Sequence, residues 1–262
     1  DQNVGVKKVE ANRNFANKVW NIGRFVINAV NTVKEPIKAE PQWTLADSWI
    51  WARTKQTVNS VNNLFENYQF GEAGRQVYEF LWNDFADWYL EASKRQLAEG
   101  GDRAAYTAII LADVLGLMLR LLHPFTPFVT EALYSYLKSA CESNEIIYNP
   151  KGDWVEHLII ARWPERMPQE EWEETAIKDF ELIQGMVRAI RNLRSEFKLE
   201  PNKTIDAILV SENKMDFLQS NKSLLVDLAG LDENALQILT GKTQTEGLTV
   251  LVVEDIEVYL DL

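Results

Sequence analysis

Apolar residues recur between positions 15 and 33 at the spacing of one face of an α-helix. The members of this apolar stripe are Phe15, Val19, Ile22, Val26, Ala29 and Val33. A repeat close to 3.6 residues predicts an amphipathic helix that buries the stripe against other elements. The chain therefore needs further elements that cover this face.

A polar stripe runs along nearly the opposite face of the same predicted helix. Its members, called the amide stripe below, are Arg13, Asn17, Asn21, Arg24, Asn28 and Asn31, with Asn14 and Lys18 beside them. No acidic residue lies between Ala11 and Lys34. Asn is a poor helix former and solvated faces usually mix Glu with Lys, so the pattern favours contact with a polyanion that displays base edges. The alternative is a solvated face, or one that hydrogen-bonds neighbouring loops.

The first part of the chain predicts five helices joined by short connections. They cover about 9–33, 44–66, 71–100, 102–122 and 127–140. Thr44 and Asp47 have the spacing of a capping box, Asp102 is a candidate cap of the fourth helix, and His123-Pro124 ends that helix. Broad apolar faces predict an antiparallel five-helix bundle, so the fold class is mainly α.

The second part predicts a small α/β module. A long helix at about 172–199 precedes a strand at 204–211, a short helix at 216–229, and strands at 236–240, 248–253 and 256–260. An irregular stretch over 141–168, with a short extended piece at 158–160, separates the two parts. The predicted domains are residues 1–165 and 166–262.

The net charge of −12 argues at first against binding to nucleic acid. Residues 1–60, however, hold nine Lys and Arg against five Asp and Glu, while the remaining residues hold 18 against 34. A positive end on an acidic body can bind RNA locally, although an excess of this size is also compatible with chance.

Composition excludes several other classes of protein. No apolar run is expected to be long enough to span a membrane. A single cysteine, Cys141, excludes an internal disulfide and is consistent with a reducing cytoplasm. The start lacks both an initiator Met and a signal peptide, so a fragment of a longer chain is expected.

Four short sequence motifs resemble those of a known family. They are NRNFANKVWNIGRF at 12–25, NDFADWYLEASK at 83–94, LLHPFTPFVTEALY at 121–134 and ARWPE at 161–165. In this order they resemble the anticodon-binding region of the valyl-tRNA synthetases, which are class I aminoacyl-tRNA synthetases. The resemblance is specific over most of 1–165 and weaker from 170 to 262.

The resemblance implies a helical anticodon-binding domain followed by a small α/β module. The full-length enzyme would be an ATP-dependent valine–tRNA ligase, whereas this fragment lacks HIGH-like and KMSKS-like motifs and is expected to be non-catalytic and to need no cofactor. The expected partners are valine-type tRNA and the catalytic and editing domains of the same chain. A cytoplasmic monomer without membrane contact is expected.

The resemblance also implies which residues contact tRNA. By position, the residues that would line the anticodon-facing surface are Asn17, Lys18, Asn21, Arg24 and Asn28. Further tRNA-binding candidates are Lys34, Lys38, Trp43 and, more weakly, Arg53. Lys34 and Lys38 would bind phosphates, and Trp43 would either stack on a base or anchor its loop. Arg188, Arg191, Arg194 and Lys198 lie on one predicted helical arc and are candidates either for the tRNA backbone or for salt bridges.

No catalytic or metal site is expected. His123 is interpreted as a structural hydrogen-bonding residue, His157 has no metal-ligand spacing, and Cys141 is placed in a polar loop without a partner. Two alternatives to anticodon reading of valine tRNA remain open. One is the anticodon-binding region of an isoleucine-type synthetase, and the other is a helical scaffold that uses the amide stripe to bind a protein.

Overall fold

A computed structural model describes residues 5–35, 37–39, 42–144, 154–200, 202–241 and 247–262, without the side chain of Lys8. The chain divides into two compact units, Asp1–Glu173 and Glu174–Leu262. The division falls inside the first turn of a long helix. The predicted domain limits of 1–165 and 166–262 stay a prediction, and part of the irregular stretch that carried them, 145–153, lies outside the described residues.

The first unit is a bundle of helices. Their bounds are α1 Val6–Thr32, α2 Leu45–Glu66, α3 Phe70–Glu79, a π-helical segment Phe80–Tyr89, α4 Leu90–Glu99, α5 Gly101–Leu122 and α6 Pro127–Glu142. Because α3, the π-helical segment and α4 follow one another without a break, the described residues of this unit form five helical rods. This arrangement confirms the predicted mainly α, five-helix fold.

The apolar stripe of α1 is buried as predicted. Each of its members exposes at most 7% of its surface. α1 packs against α5 and α6 through this face. Removing these apolar side chains from water favours packing of α1 onto the bundle.

α5 corrects one prediction. Within the described chain it is the one helix that is long and apolar enough, by length and composition, to cross a membrane, with a mean hydropathy of 1.8 over its best 18-residue window. Its position explains the composition, since 67% of that window is buried inside the protein. A helix at the centre of a bundle contacts neighbours on nearly every side and is therefore apolar nearly all round.

A capping box begins α2, as predicted. The hydroxyl of Thr44 accepts a hydrogen bond from the Asp47 backbone N–H at 3.2 Å, and the Asp47 carboxylate accepts one from the Thr44 N–H at 3.0 Å. The prediction for Asp102 is wrong, because α5 begins after Gly100, whose φ of 72° suits glycine. The Asp102 carboxylate instead accepts from the backbone N–H groups of Lys38 and Ala39.

The Asp47 carboxylate is the centre of a buried polar network. It is fully buried, accepts a hydrogen bond from the Tyr89 hydroxyl at 2.8 Å and forms an ion pair with Arg103 Nη2 at 3.0 Å. The network continues where Gln96 donates to the Thr44 hydroxyl and accepts from Thr107. These contacts join α2, the π-helical segment, α4 and α5, so they fix how those helices meet.

An extended segment after the bundle helices is held by amide side chains of α2. Asn59 donates to the Met167 carbonyl and accepts from the Met167 N–H. Asn62 donates to the Pro164 carbonyl and accepts from the Trp163 indole. The expected extended piece at 158–160 is instead a short 3₁₀ helix, Leu158–Ile160, in which the Leu158 N–H donates to Glu131.

The second unit is the predicted α/β module. It contains most of α7 (Glu171–Glu196), then β1 (Asp206–Val210), α8 (Met215–Ser220), α9 (Lys222–Ala229), β2 (Gln237–Leu239), β3 (Thr249–Val253) and β4 (Ile256–Asp261). The sheet order is β2-β1-β4-β3, with β1 and β2 parallel and the other neighbours antiparallel. In β4, Ile256, Val258 and Leu260 are buried in alternation, as expected for a strand covered on one face.

We expect Tyr89→Phe to lower the free energy of unfolding by about 1–3 kcal/mol, because one oxygen of the buried Asp47 carboxylate would lose its donor. Urea unfolding followed by circular dichroism measures this change. Tyr68→Phe is the matched control, since Tyr68 is 82% exposed. Equal stability of the two variants would contradict a structural role for the network.

Candidate nucleic-acid interface

The amide stripe is exposed along α1. Asn17, Asn21, Arg24, Asn28 and Asn31 all face solvent. Within the described part of the chain, these five side chains make no hydrogen bond or ion pair. The alternative that the stripe hydrogen-bonds neighbouring loops is therefore not supported, and its donors and acceptors are available to a ligand.

An open groove of about 960 Å³ lies between α1 and α6, and four of the six stripe residues form one of its walls. Its lining residues are Trp20, Asn21, Arg24, Phe25, Ile27, Asn28, Asn31, Leu133, Tyr136, Ser139, Ala140 and Ser143. None of these described lining residues is acidic, although the chain carries a net charge of −12. The wall chemistry is that of amides, hydroxyls, aromatic rings and one guanidinium, which suits an anionic polar ligand.

Gly23 lets α1 and α6 approach each other at the floor of this groove. A Cβ atom placed on Gly23 would collide with the Leu133 side chain, which is itself only 1% exposed. The absent side chain therefore sets the separation of the two groove walls. Glycine in mid-helix is unfavourable by about 1 kcal/mol relative to alanine, and close packing compensates for it here.

Two aromatic residues that were not among the predicted tRNA-binding residues line the groove. Trp20 and Tyr136 expose 37% and 57% of their surfaces, and their ring centroids are 6.1 Å apart at an angle of 86°. A weak local signal pointed to Trp20, since it directly precedes Asn21 of the stripe. Nothing local points to Tyr136, because only folding brings α6 beside α1.

Lys18 lies on the other flank of the stripe and does not line the groove. Its ammonium donates to the Asp87 carboxylate at 2.8 Å and lies 5.0 Å from the centre of the Trp82 ring. Trp82 in turn stacks on Tyr78. Since the Lys18 side chain remains 31% exposed, it lies at the surface next to the stripe with part of its charge already compensated.

Lys34 and Lys38 follow the end of α1 and are exposed. Lys38 Nζ lies 3.8 Å from Glu35, while its backbone N–H donates to Asp102. The N–H groups of Lys38 and Ala39 hold the pKa of Asp102 below its usual value. This anchor fixes the path of the backbone and leaves the lysine side chains at the surface.

Trp43 lies outside the groove. Its ring contacts Trp51 and Trp172 edge to face, with centroids 6.5 Å and 6.4 Å apart. It is nevertheless 44% exposed. These contacts favour the interpretation of Trp43 as an anchor of its loop.

Arg53 lies on α2, in a second polar groove that Asp84 of the π-helical segment also lines. Its Nε donates to an Asp84 carboxylate oxygen at 3.0 Å, its Nη2 forms an ion pair with the same oxygen at 2.9 Å, and its Nη1 donates to Gln56. This arrangement joins α2 to the π-helical segment. The groove of α1 and α6 does not include it.

The basic residues of α7 belong to the second unit. Arg191 donates to the Leu228 carbonyl and Arg194 to the Gly230 carbonyl, which are groups at the end of α9. Such groups lack partners within their helix, so the guanidiniums stabilise its end.

The other two basic residues of the predicted arc differ in position. Arg188 is exposed on α7. Lys198 lies beyond the end of α7 with a φ of 53° and therefore leaves the arc.

The titratable residues considered for catalysis have structural surroundings. His123 Nδ1 hydrogen-bonds the Thr130 hydroxyl at 2.9 Å, which confirms its interpretation, and His157 Nδ1 lies 3.4 Å from Glu131. Cys141 is not in a polar loop but buried in α6, and burial raises its pKa to about 12. Within the described ranges, no cluster of His, Cys, Asp and Glu has the arrangement of a metal site.

Comparison with known proteins assigns this chain to a family. The family model described as "Anticodon-binding domain of tRNA ligase" matches residues 47–209. The chain belongs to this family of anticodon-binding domains. The match begins at Asp47, so α1 lies outside it.

The particular relatives are valine–tRNA ligases, and their alignments extend over α1. The enzyme of Thermotoga maritima is 36% identical over 97% of this chain, and that of Lactiplantibacillus plantarum is 34% identical over all of it. A chloroplastic/mitochondrial valine–tRNA ligase of Arabidopsis thaliana is 33% identical, also over all of it. These matches confirm the resemblance to the valyl-tRNA synthetases. The chain spans about a quarter of the relatives' length, 26–28%.

The anchor at Asp102 has a testable pH dependence. A carboxyl whose pKa is lowered by folding contributes stability above its unfolded value, here 3.8, and loses it as the pH falls through the lower folded value. In an NMR titration we expect the amide protons of Lys38 and Ala39 to shift with a midpoint below 3.8. Asp102→Asn should abolish this step, and a midpoint at or above 3.8 would contradict the anchor.

We expect Gly23→Ala to destabilise the bundle, because overpacking costs about 1–3 kcal/mol and exceeds the helix-propensity gain of about 1 kcal/mol. Gly116→Ala in α5 is the control, since a Cβ atom there meets nothing within 4 Å. It should be neutral or stabilising by up to about 1 kcal/mol. Thermal unfolding of both variants compares them, and a stabilised Gly23 variant would contradict the close approach of α1 to α6.

Proposed function

We propose that this region recognises the anticodon arm of a tRNA through the exposed face of α1. One observation carries the proposal: the amide stripe is exposed and free of carboxylates on a strongly acidic chain, and its side chains from Asn17 to Asn31 have no partner among the residues that the structure describes. Acidic residues elsewhere would repel RNA, so binding would be confined to this face. Membership in the anticodon-binding family supports tRNA recognition by this region, while the choice of the α1 face rests on the stripe itself, because the family match begins at Asp47.

The stripe offers two kinds of contact to RNA. Asn17, Asn21 and Asn28 each present an amide donor and an acceptor, which is what reading the edge of an unpaired base requires. Arg24 presents a planar set of donors that suits a phosphate or a base edge in two parallel hydrogen bonds. Lys34 and Lys38 at the end of the helix would add phosphate contacts that position the loop without reading sequence.

We further propose that a longer protein containing this region attaches valine to its tRNA. The relatives are valine–tRNA ligases, so valine-type tRNA is the proposed ligand and the catalytic and editing domains of the same polypeptide are the proposed neighbours. ATP would bind in that catalytic part rather than here. We propose a monomer that acts in the cytoplasm.

A binding titration tests the proposal. This chain is mixed with a valine-type anticodon stem-loop or with an isoleucine-type stem-loop, each at two salt concentrations, and fluorescence anisotropy reports binding. We expect tighter binding of the valine-type loop and weaker binding at high salt, because phosphate contacts release counterions. Equal affinity for both loops would contradict anticodon reading, and an affinity independent of salt would contradict phosphate contact.

Arg24→Ala should weaken binding of the valine-type stem-loop by about 1–3 kcal/mol, since it removes charge-assisted hydrogen bonds. The matched control is Arg162→Ala, which removes an exposed arginine outside the groove. The same anisotropy titration measures both variants, and circular dichroism verifies their folding. Unchanged affinity in a folded Arg24 variant, or an equal loss in both, would contradict the assignment of Arg24.

A further inference from the structure

We propose that Trp20 and Tyr136 form a stacking site for one unpaired base of the RNA, beside side chains that read its edge. This inference rests on the proposed function and names two residues that determine how the RNA loop is held. Neither residue belongs to the amide stripe, and Tyr136 comes from a different helix. The site follows from the packing of α1 against α6.

The exposure of these two rings needs a reason. Trp49 and Trp88 bury almost their whole surface, as large aromatic side chains usually do. Trp20 and Tyr136 instead expose 37% and 57% and meet edge to face. Other aromatic rings such as Phe128 are also exposed, but Trp20 and Tyr136 lie together in the polar groove. An apolar ring kept at the surface of a polar groove is typical of a recognition site rather than of a core.

The angle between the rings leaves room for a third ring. At 86° and 6.1 Å between centroids, the two side chains form a corner instead of a parallel stack. Tyr136 is the more exposed of the two, so a planar base can lie against the free face of the Tyr136 ring while its edge contacts Trp20. Stacking of this kind tolerates any base, because every base has a π-face.

The groove wall supplies donors and acceptors at a matching distance. Arg24 follows Trp20 by four residues and Asn28 follows it by eight, so both lie on the same side of α1. Each step of four residues rises about 6 Å along the helix. A base stacked at Trp20 and Tyr136 therefore presents its edge toward Arg24, and the next nucleotide lies near Asn28.

The chemistry of the groove favours a nucleotide over a peptide segment. No described lining residue carries a negative charge, while Arg24 supplies a positive one. Ser139 and Ser143 on the opposite wall add hydroxyls that can bind ribose or phosphate oxygens. Proteins usually bind single-stranded RNA with aromatic faces that stack on bases and with polar side chains or a guanidinium that hydrogen-bond the base edges.

The experiment uses valine-type anticodon stem-loops in which 2-aminopurine replaces one loop base at a time. Stacking on an aromatic side chain quenches this fluorophore, so one position should darken on binding to the chain. Tyr136→Ala should remove that quenching and weaken binding roughly 5- to 150-fold, the range for one lost stacked base. Tyr136→Phe keeps the ring and should retain both the quenching and most of the affinity.

Two controls separate stacking from a general effect on the protein. Tyr68→Ala removes an exposed ring outside the groove and should leave binding unchanged. A stem-loop that is abasic at the quenched position should bind the original chain and the Tyr136→Ala variant equally, because the base that stacks is already missing. Circular dichroism and thermal unfolding show whether each variant is folded.

The outcomes distinguish this inference from the proposed function. If the stem-loop binds and Arg24→Ala weakens it, but Tyr136→Ala changes neither quenching nor affinity, the stacking site is overturned and anticodon recognition by α1 stands. If no stem-loop binds the chain, both are overturned. Loss of position-specific quenching in Tyr136→Ala and its retention in Tyr136→Phe would support the stacking site.

Discussion

The buried carboxylate of Asp47 is the constraint on which the arrangement of the bundle depends. A charge removed from water is tolerated only when it is paired and hydrogen-bonded. The Tyr89 hydroxyl and the Thr44 N–H donate hydrogen bonds to this carboxylate, and the Arg103 guanidinium supplies the opposite charge. Each donor comes from a different place in the fold, so the network is complete only when those segments meet correctly. Burial and the nearby Asp47 carboxylate also raise the pKa of Tyr89 well above its usual value, which keeps the hydroxyl protonated as a donor.

The network fixes α2, the π-helical segment, α4 and α5 relative to one another. The two faces of α1 then differ in their surroundings, since one packs against the bundle and the other meets solvent. The apolar stripe packs against α5 and α6, and Gly23 lets α6 approach α1 closely. The amide stripe then faces outward from a helix that is packed along its opposite side, an arrangement that fits the proposed recognition of RNA. The second unit uses its arginines differently, since Arg191 and Arg194 satisfy carbonyl groups at the end of α9.

Much of the fold could be predicted because its signals are local. The spacing from Phe15 to Val33 and the Thr44–Asp47 pair each lie within one helix, and the structure confirms both. Long-range pairings could not be predicted. Asp102 looked like a helix cap but binds a distant loop, and Tyr136 reaches Trp20 only after α6 folds back onto α1. The π-helical segment also has no periodicity that would separate it from an ordinary helix in the sequence.

The most direct test of the central claim is an NMR titration that observes the side-chain amide groups of asparagine while an anticodon stem-loop is added. If α1 recognises RNA, the NH₂ signals of Asn17, Asn21 and Asn28 shift with RNA concentration. Those of Asn59 and Asn62, which are bonded to backbone carbonyls of the segment after the bundle helices, should stay in place. Shifts confined to Asn59 and Asn62, with the stripe unchanged, would contradict recognition of RNA by α1.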